Sequence, residues 1–504
     1  MPRTHAMPSP LTNAREFFLW DYDSTLFPLT TNKLIVDKYS EGLRSFVQDT
    51  VLVEGGSFQP QQRVFASKRG WFLRRTVKLD PVAEFFLYDL IYRNRTCFRA
   101  SVSAERSAYG FRITKGFPLS TVRSYATFKK AVSAGKSTSK FHAYFDIAAY
   151  FNHVYHHDLV RWFEEVGAST EDVQLLGKYL REICSGRSVD CLPHGLYPAK
   201  MIGSGFLSFL EASNRIRASK TVRLMDDIWL FDDDSKVLVS DALRIQSLLG
   251  DRGLSLNDKK SSILGVANIA TDSLANIDEI KIDLLRKRRD ALTADNGYGD
   301  DEGEDDPDSF DELTEEEQGY LLDLLKGNEI QEEDAELVLT LMKDYSTDVM
   351  EFVPQLIRDF PSLVKRIYYF CSDIDDKDSL VESLNEHIQS EGLVTEYQLF
   401  WFAKMVEDYL LEAEGAGDLL RALYEHGQAT DISRAKILEN PSKAHGLPEL
   451  REEQLRSGHS GWLAWSAAVG SRDLAKSQRN QLLKYFRKAS PMNRLIGEFV
   501  ETCF

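Results

Sequence analysis

Two adjacent aspartates, Asp226 and Asp227, sit between two largely apolar runs rich in β-formers: Val222-Arg223-Leu224-Met225-Asp226-Asp227-Ile228-Trp229-Leu230-Phe231. Such a run predicts a β-hairpin with the acidic pair at or near its tip. Like charges so close repel, and a buried carboxylate pair requires cations or a shared proton. Divalent metal is the simplest compensation. Asp232, Asp233 and Asp234 come after the second strand, where a solvated turn suffices. Upstream, Phe141-His142-Ala143-Tyr144-Phe145 reads as an apolar strand that delivers Asp146 at its end. Phe151 follows where the chain turns into a helix, so Asp146 taken alone could be an acidic N-cap. Taken together, the two segments suit two-metal phosphoryl transfer. That chemistry needs carboxylates on rigid elements holding ions about 3.5–4 Å apart. One ion serves a primer hydroxyl; the other serves a triphosphate and its leaving pyrophosphate.

A chain of 504 residues has room for two or three domains and a large core. Its formal charge of −17, taken as a whole, argues against a nucleic-acid partner. The distribution of charge argues otherwise. Through Arg289 the balance is roughly +9, the footprint that a phosphate backbone needs. The acidic excess lies downstream. Residues 290–318 are rich in Asp and Glu with few apolar residues, and predict a linker or loop. Residues 319–504 carry one amphipathic helical pattern after another, from Leu321-Leu322 and Leu337-Val338 to Leu482-Leu483. Short helices in series suggest an α-solenoid, although no clean repeat period is visible. No stretch is long and apolar enough to cross a bilayer, and the first fifteen residues lack a secretory apolar core. The five cysteines form no CxxC pair and read as reduced thiols of a cytoplasmic protein, with neither zinc site nor disulfide framework.

The ordered set of segments between Arg63 and Leu264 resembles a reverse transcriptase. Asp146 with Phe151 resembles polymerase motif A, and Leu224-Met225-Asp226-Asp227 resembles the YxDD box of motif C. Lys68, Arg74 and Arg75 lie in a basic stretch like the fingers motif that contacts the incoming triphosphate. Ala108-Tyr109-Gly110-Phe111-Arg112 is similar to a further finger motif of bacterial enzymes. Leu192-Pro193-His194-Gly195 resembles motif B, with His194 where Gln is usual, and Leu254 to Ser261 resembles motif D.

The resemblance implies catalytic Asp146, Asp226 and Asp227, with Lys260 as the acid that protonates pyrophosphate. It implies two Mg²⁺ ions, replaceable by Mn²⁺, on Asp146, Ile147, Asp226 and Asp227. It implies deoxynucleoside triphosphates bound by Lys68, Arg74, Arg75, Phe151, His194 and Gly195. Phe151 takes the steric-gate position, where a ring excludes a ribose 2′-hydroxyl. The implied fold is α+β, a right-hand polymerase whose fingers and palm carry an antiparallel sheet, followed by an all-α HEAT-like solenoid. The expected divisions are a helical N-terminal extension over 1–62, fingers and palm over 63–289, the acidic linker over 290–318, and the helical repeat over 319–504.

The sequence departs from the family at Leu196-Tyr197-Pro198-Ala199-Lys200, which replaces the usual small-residue and Ser pattern of motif B and puts ordinary templating in doubt. A compact polymerase joined to a helical tail resembles the abortive-infection and other defence-associated reverse transcriptases of bacteria, in particular the prophage-borne branch related to abortive-infection enzyme K. That kinship implies untemplated DNA synthesis in antiphage defence, protein priming on a tyrosine with DNA covalently attached, and trimers or hexamers. Tyr22 and Tyr39 stand among the tyrosines ahead of the fingers. Two alternatives remain open at this point: a templated enzyme copying a dedicated non-coding RNA, and a catalytically silent nucleic-acid-binding scaffold.

Overall fold

The first half of the chain mixes strand and helical patterns and the second is helical almost throughout, and the architecture follows that division. The computed structural model describes residues 9–99, 103–266, 284, 287, 313–327, 330–390, 392–441 and 447–504. A mixed α/β region comes first and a largely helical region second. Most of the expected acidic linker, 290–312, lies outside the described residues. Its last stretch is not a linker: Glu315–Lys326 is a helix opened by a capping box between Thr314 and Glu317.

Nine strands are described in chain order: β1 Gln62–Lys68, β2 Phe72–Lys78, β3 Arg106–Tyr109, β4 Ile113–Thr114, β5 Phe117–Pro118, β6 Phe141–Phe145, β7 Lys220–Leu224, β8 Asp227–Asp232 and β9 Ser262–Val266. β1 and β2 form one hairpin and β4 and β5 a second, smaller one. The central sheet has the order β3-β7-β8-β6-β9. Its pairings are antiparallel except for β3, which runs parallel to β7. The expected antiparallel sheet is therefore present except at its β3 edge, which makes it a mixed one. β3 and β7 lie more than a hundred residues apart, so no tight turn ties them and a parallel edge pairing is open to them.

Helix Thr121–Thr138 packs across part of this sheet; a Cβ at its Gly135 would meet the Phe231 ring at 2.6 Å, so only glycine lets helix and strand approach so closely. Helix Ser235–Gly250 buries Leu238, Ala242, Ile245 and Leu249. Asp232, the last residue of β8, and the two acids that follow it do more than solvate a turn. Asp232 accepts from the Ser219 N–H at 2.9 Å, Asp233 from the Lys140 N–H at 2.9 Å, and Asp234 caps helix Ser235–Gly250.

Beyond residue 313 the helices follow in series, among them Glu332–Leu341, Lys377–Gln389, Glu396–Met405, Asp431–Leu438, Trp462–Gly470 and Pro491–Cys503. They do not stand apart from the first half. Glu439 accepts from the Thr30 and Thr31 N–H groups at 2.8 and 2.7 Å, and so caps helix Thr30–Phe46, whose own N-cap Leu29 supplies no side-chain bond. Lys436 is fully buried between Glu439 and Glu407. Arg69 in the β1–β2 turn pairs with Glu333 at 2.6 Å, and the Phe65 N–H donates to Glu396 at 3.1 Å. Among the described residues no helix is long and apolar enough to cross a membrane.

Candidate active site

The carboxylates come together because of strand register. β6 pairs with β8 through Tyr144↔Trp229 and Phe145↔Ile228, and β7 pairs with β8 through Leu224↔Asp227. Carried one step further, the first register sets Asp146 opposite Asp227, where facing Cβ atoms lie about 5 Å apart. Met225 and Asp226 form the two-residue turn between β7 and β8. Met225 has φ +55°, a left-handed conformation that favours glycine, so the turn is held in a strained form. Buried Arg223 holds it. Its guanidinium donates to the Met225 carbonyl at 2.9 Å and the Ser204 carbonyl at 3.1 Å, and grips Glu211 with two bonds of 2.6 and 2.8 Å.

The electrostatics are those of crowded acids. Burial raises Asp226 to about 6, and the charges of Asp227 and Asp146 add to the rise while Lys260 opposes it. Burial also raises Asp227, with Asp146 adding to the rise and a hydrogen bond from Tyr144 opposing it. That bond, Tyr144 hydroxyl to Asp227 Oδ1, is 2.5 Å long. Asp146 is clasped by the loop after Leu254: the Asn257 N–H donates to its carbonyl at 2.7 Å, Asn257 Nδ2 to its Oδ2 at 3.0 Å, and Lys260 Nζ lies 3.8 Å from the same oxygen. Lys260 thus stands beside the acids. The Asp146 carbonyl and the Ala148 N–H are used by a bridge to Ser255 and Asn257, which leaves the Ile147 carbonyl outside those two bonds.

Among the described residues no group of three His, Cys, Asp or Glu side chains is already arranged around a metal position. Asp227 is turned to Tyr144 and Asp146 to Asn257, as repelling carboxylates turn to donors. The donor set, three carboxylates and one main-chain carbonyl, is all hard oxygen and fits Mg²⁺ or Mn²⁺.

Phe151 and His194 form an aromatic pair. Phe151 is buried and lies against His194, with ring centroids 4.7 Å apart. Helix Tyr197–Phe206 backs it: a Cβ on Gly203 would lie 3.0 Å from Phe151 Cζ. Burial and the nearby Arg74 and Arg75 charges hold the His194 ring down at about 4, so it is neutral at pH 7. Gly195 has φ +92°, and a Cβ there would press on Leu26 at 2.9 Å.

Lys68, Arg74 and Arg75 differ in their availability. Lys68 and Arg74 are exposed on the β1–β2 hairpin. Arg75 is paired with Asp190 at 3.2 Å, and Arg63 shares that acid at 3.8 Å. Arg75 is therefore already neutralised, by an acid that arrives from a loop more than a hundred residues away. Tyr22 is buried, which removes it from the tyrosines open to modification. Tyr144, Asn257, Asp190 and the Glu211–Arg223 pair escaped the sequence reading. Only Tyr144 carried a signal, because residues two apart on a strand share a face with each other and hence with Asp146.

No family model and no curated protein matches the chain. Among solved structures, it is similar to telomerase from Candida albicans in complex with a fragment of telomeric RNA, with 12% identity and a TM-score of 0.30, over 81% of this chain and 68% of that one. For telomerase from Candida tropicalis in the same type of complex the figures are 11% and 0.32, over 75% and 62%. Likeness at this level establishes neither fold nor family.

Proposed function

We propose that the chain is a DNA polymerase of the reverse-transcriptase type, built as a right-hand fingers and palm followed by a helical-repeat region, which adds deoxynucleotides by two-metal phosphoryl transfer. The observation that carries this reading is the meeting of Asp146 with the Asp226–Asp227 turn at one end of neighbouring antiparallel strands. Three acids crowded where burial disfavours their charge are a site that gains from divalent cations. Asp146, Asp226 and Asp227, with the Ile147 carbonyl, would hold two Mg²⁺ ions. Bound there, the ions supply charge neutralisation for an attacking hydroxyl and a leaving pyrophosphate.

The chain's own groups do the rest. Asn257 and Tyr144 orient Asp146 and Asp227. Arg223 fixes the turn that presents Asp226. Phe151, backed by Gly203, closes the space where a ribose 2′-hydroxyl would sit, which selects deoxynucleotides. Neutral His194 packs on that ring, and exposed Arg74 and Lys68 meet the triphosphate. Lys260, already near the acids, is placed to give a proton to pyrophosphate. The departure at 196–200 supports untemplated extension, and the resemblance extends the proposal to antiphage defence, tyrosine priming and a homo-oligomer.

Incorporation of labelled deoxynucleotides with Mg²⁺ or Mn²⁺ tests the reading, comparing wild type with Asp226→Ala/Asp227→Ala. Wild type is expected to make DNA and the double variant to make none; activity that survives in the variant places the chemistry elsewhere. Phe151→Ala is expected to lower discrimination against ribonucleotides by about tenfold or more. Unchanged discrimination removes the gate from Phe151.

A further inference from the structure

The segment from Asp21 to Phe27 touches both halves of the molecule, and the function proposed above leaves it unused. Asp21 lies buried in the last turn of helix Ala14–Tyr22. Its Oδ2 accepts from the Tyr197 N–H at 2.7 Å and from the Tyr88 hydroxyl at 2.6 Å. The first of these bonds caps helix Tyr197–Phe206, whose own N-cap Leu196 supplies no side-chain bond. Further along the segment, Leu26 lies against Gly195: a Cβ on that glycine would stand 2.9 Å from Leu26 Cγ and 3.5 Å from its backbone nitrogen. The two contacts support both neighbours of the Phe151 ring. One is His194, which precedes Gly195 and lies 4.7 Å from that ring; the other is Gly203, on the helix that Asp21 caps.

The other side of the segment is gripped by the helical region. Helix Val364–Cys371 sends out Lys365, whose Nζ donates to the Asp23 carbonyl at 2.9 Å and to the Thr25 carbonyl at 3.0 Å. One turn on, the Tyr369 hydroxyl donates to the same Asp23 carbonyl at 2.9 Å. Helix Glu396–Met405 adds Tyr397 and Phe400, whose rings meet Phe27 edge-on at 5.5 and 5.1 Å, and Trp401, whose ring centre lies 5.2 Å from Lys365 Nζ. Carbonyls at the end of a helix lack partners within it, so donors from outside fix the path of the chain that leaves it. Burial lowers Lys365 to about 7, with Lys200 adding to the fall and Asp21 and Asp23 opposing it. Charged or neutral, the amine has hydrogens for both carbonyls. Asp23 to Thr25 lie between Asp21 and Leu26 in the chain, so a shift of the gripped carbonyls moves both supports of Phe151.

We propose that Lys365, seconded by Tyr369, is a positioning residue for the Phe151 gate: it ties the segment from Asp21 to Phe27 to the helical region, and so keeps Gly195 and helix Tyr197–Phe206 in the place that selects deoxynucleotides. The gate itself rests on the polymerase reading; the tie between Lys365 and the start of helix Tyr197–Phe206 does not.

Hydrogen–deuterium exchange over Tyr197 to Lys200 reads the tie without turnover, and incorporation of labelled dTTP against UTP reads the gate. Both are measured on the full chain, well below its unfolding temperature, with Lys365→Met and Lys365→Arg. Lys365→Met is expected to exchange about tenfold faster at those amides. It is also expected to discriminate about threefold less against UTP, a smaller loss than removal of the Phe151 ring causes. Lys365→Arg, which keeps donors for both carbonyls, is expected to match wild type in both measurements. Unchanged exchange in Lys365→Met overturns the inference. So does unchanged discrimination in a Lys365→Met protein that loses dTTP and UTP incorporation equally, the mark of a lysine that only stabilises the fold. If Lys365→Met fails to fold, Tyr369→Phe, which removes one bond to the Asp23 carbonyl, carries the same comparison. A wild type that incorporates neither nucleotide sinks the polymerase reading, and exchange at Tyr197 to Lys200 still decides for or against the tie.

Discussion

Asp226 concentrates the cost of the site in one carboxyl group. In an unfolded chain it ionises near 3.8, whereas burial and its acidic neighbours raise it to about 6 in the folded protein. The folded state therefore binds the proton more tightly. The stability that this contributes is fully present below pH 3.8 and is lost as pH rises through 6. Above that, folding carries the full penalty of a charged, crowded carboxylate, on the order of 2 kcal/mol after allowance for partial exposure. In metal-free buffer Asp226→Asn is expected to be more stable than wild type by about 2 kcal/mol at pH 7.5 and nearly equal to it at pH 4, measured by urea denaturation. Saturating Mg²⁺ should then stabilise wild type and leave Asp226→Asn little changed. An Asp226→Asn protein less stable than wild type at pH 7.5 would show that the charge is already compensated.

The hairpin is the element that turns this residue into a site. Its strands were legible from β-forming runs on either side of the acids. Its support was not, because Glu211 and Ser204 belong to other elements and no local periodicity announces a buried guanidinium. Arg223 lies in the apolar run and reads as a break in its pattern; in the fold it is the strut under Met225. Removing one partner of a buried ion pair leaves the other charged and unpaired, at a cost of about 3–5 kcal/mol. Glu211→Gln is expected to lose about 3 kcal/mol of stability, at the lower end because two carbonyls still hold the guanidinium. Metal affinity should fall with it. A loss of less than about 1 kcal/mol in denaturation would mean that the turn stands without Arg223. The same limit on local signals explains Arg75. Its sequence surroundings lack acids, and its partner Asp190 is set by tertiary structure alone.

At the scale of the whole molecule, the division into a mixed α/β half and a helical half was written in the change of hydrophobic period. The way the halves hold each other was not. Glu439 caps a helix that begins some four hundred residues earlier, and buried Lys436 bridges Glu439 and Glu407 beneath it. Such a joint has no sequence signature, since each residue looks like an ordinary member of a charged helix face. Lys436→Met would leave two buried carboxylates facing each other. It is expected to cost about 3–5 kcal/mol and to expose the start of helix Thr30–Phe46 to amide exchange, read by hydrogen–deuterium exchange over Thr30 to Lys33. Protection there equal to that of wild type would show that the two halves are joined by other contacts.

Whether three acids at one sheet end hold paired cations is settled most directly by manganese anomalous scattering from crystals grown with Mn²⁺ and a non-reactive deoxynucleoside triphosphate analogue. Two peaks about 3.5–4 Å apart, bounded by Asp146 and the Asp226–Asp227 turn, are the expected result. A nucleotide bound with no manganese beside those carboxylates would contradict the account.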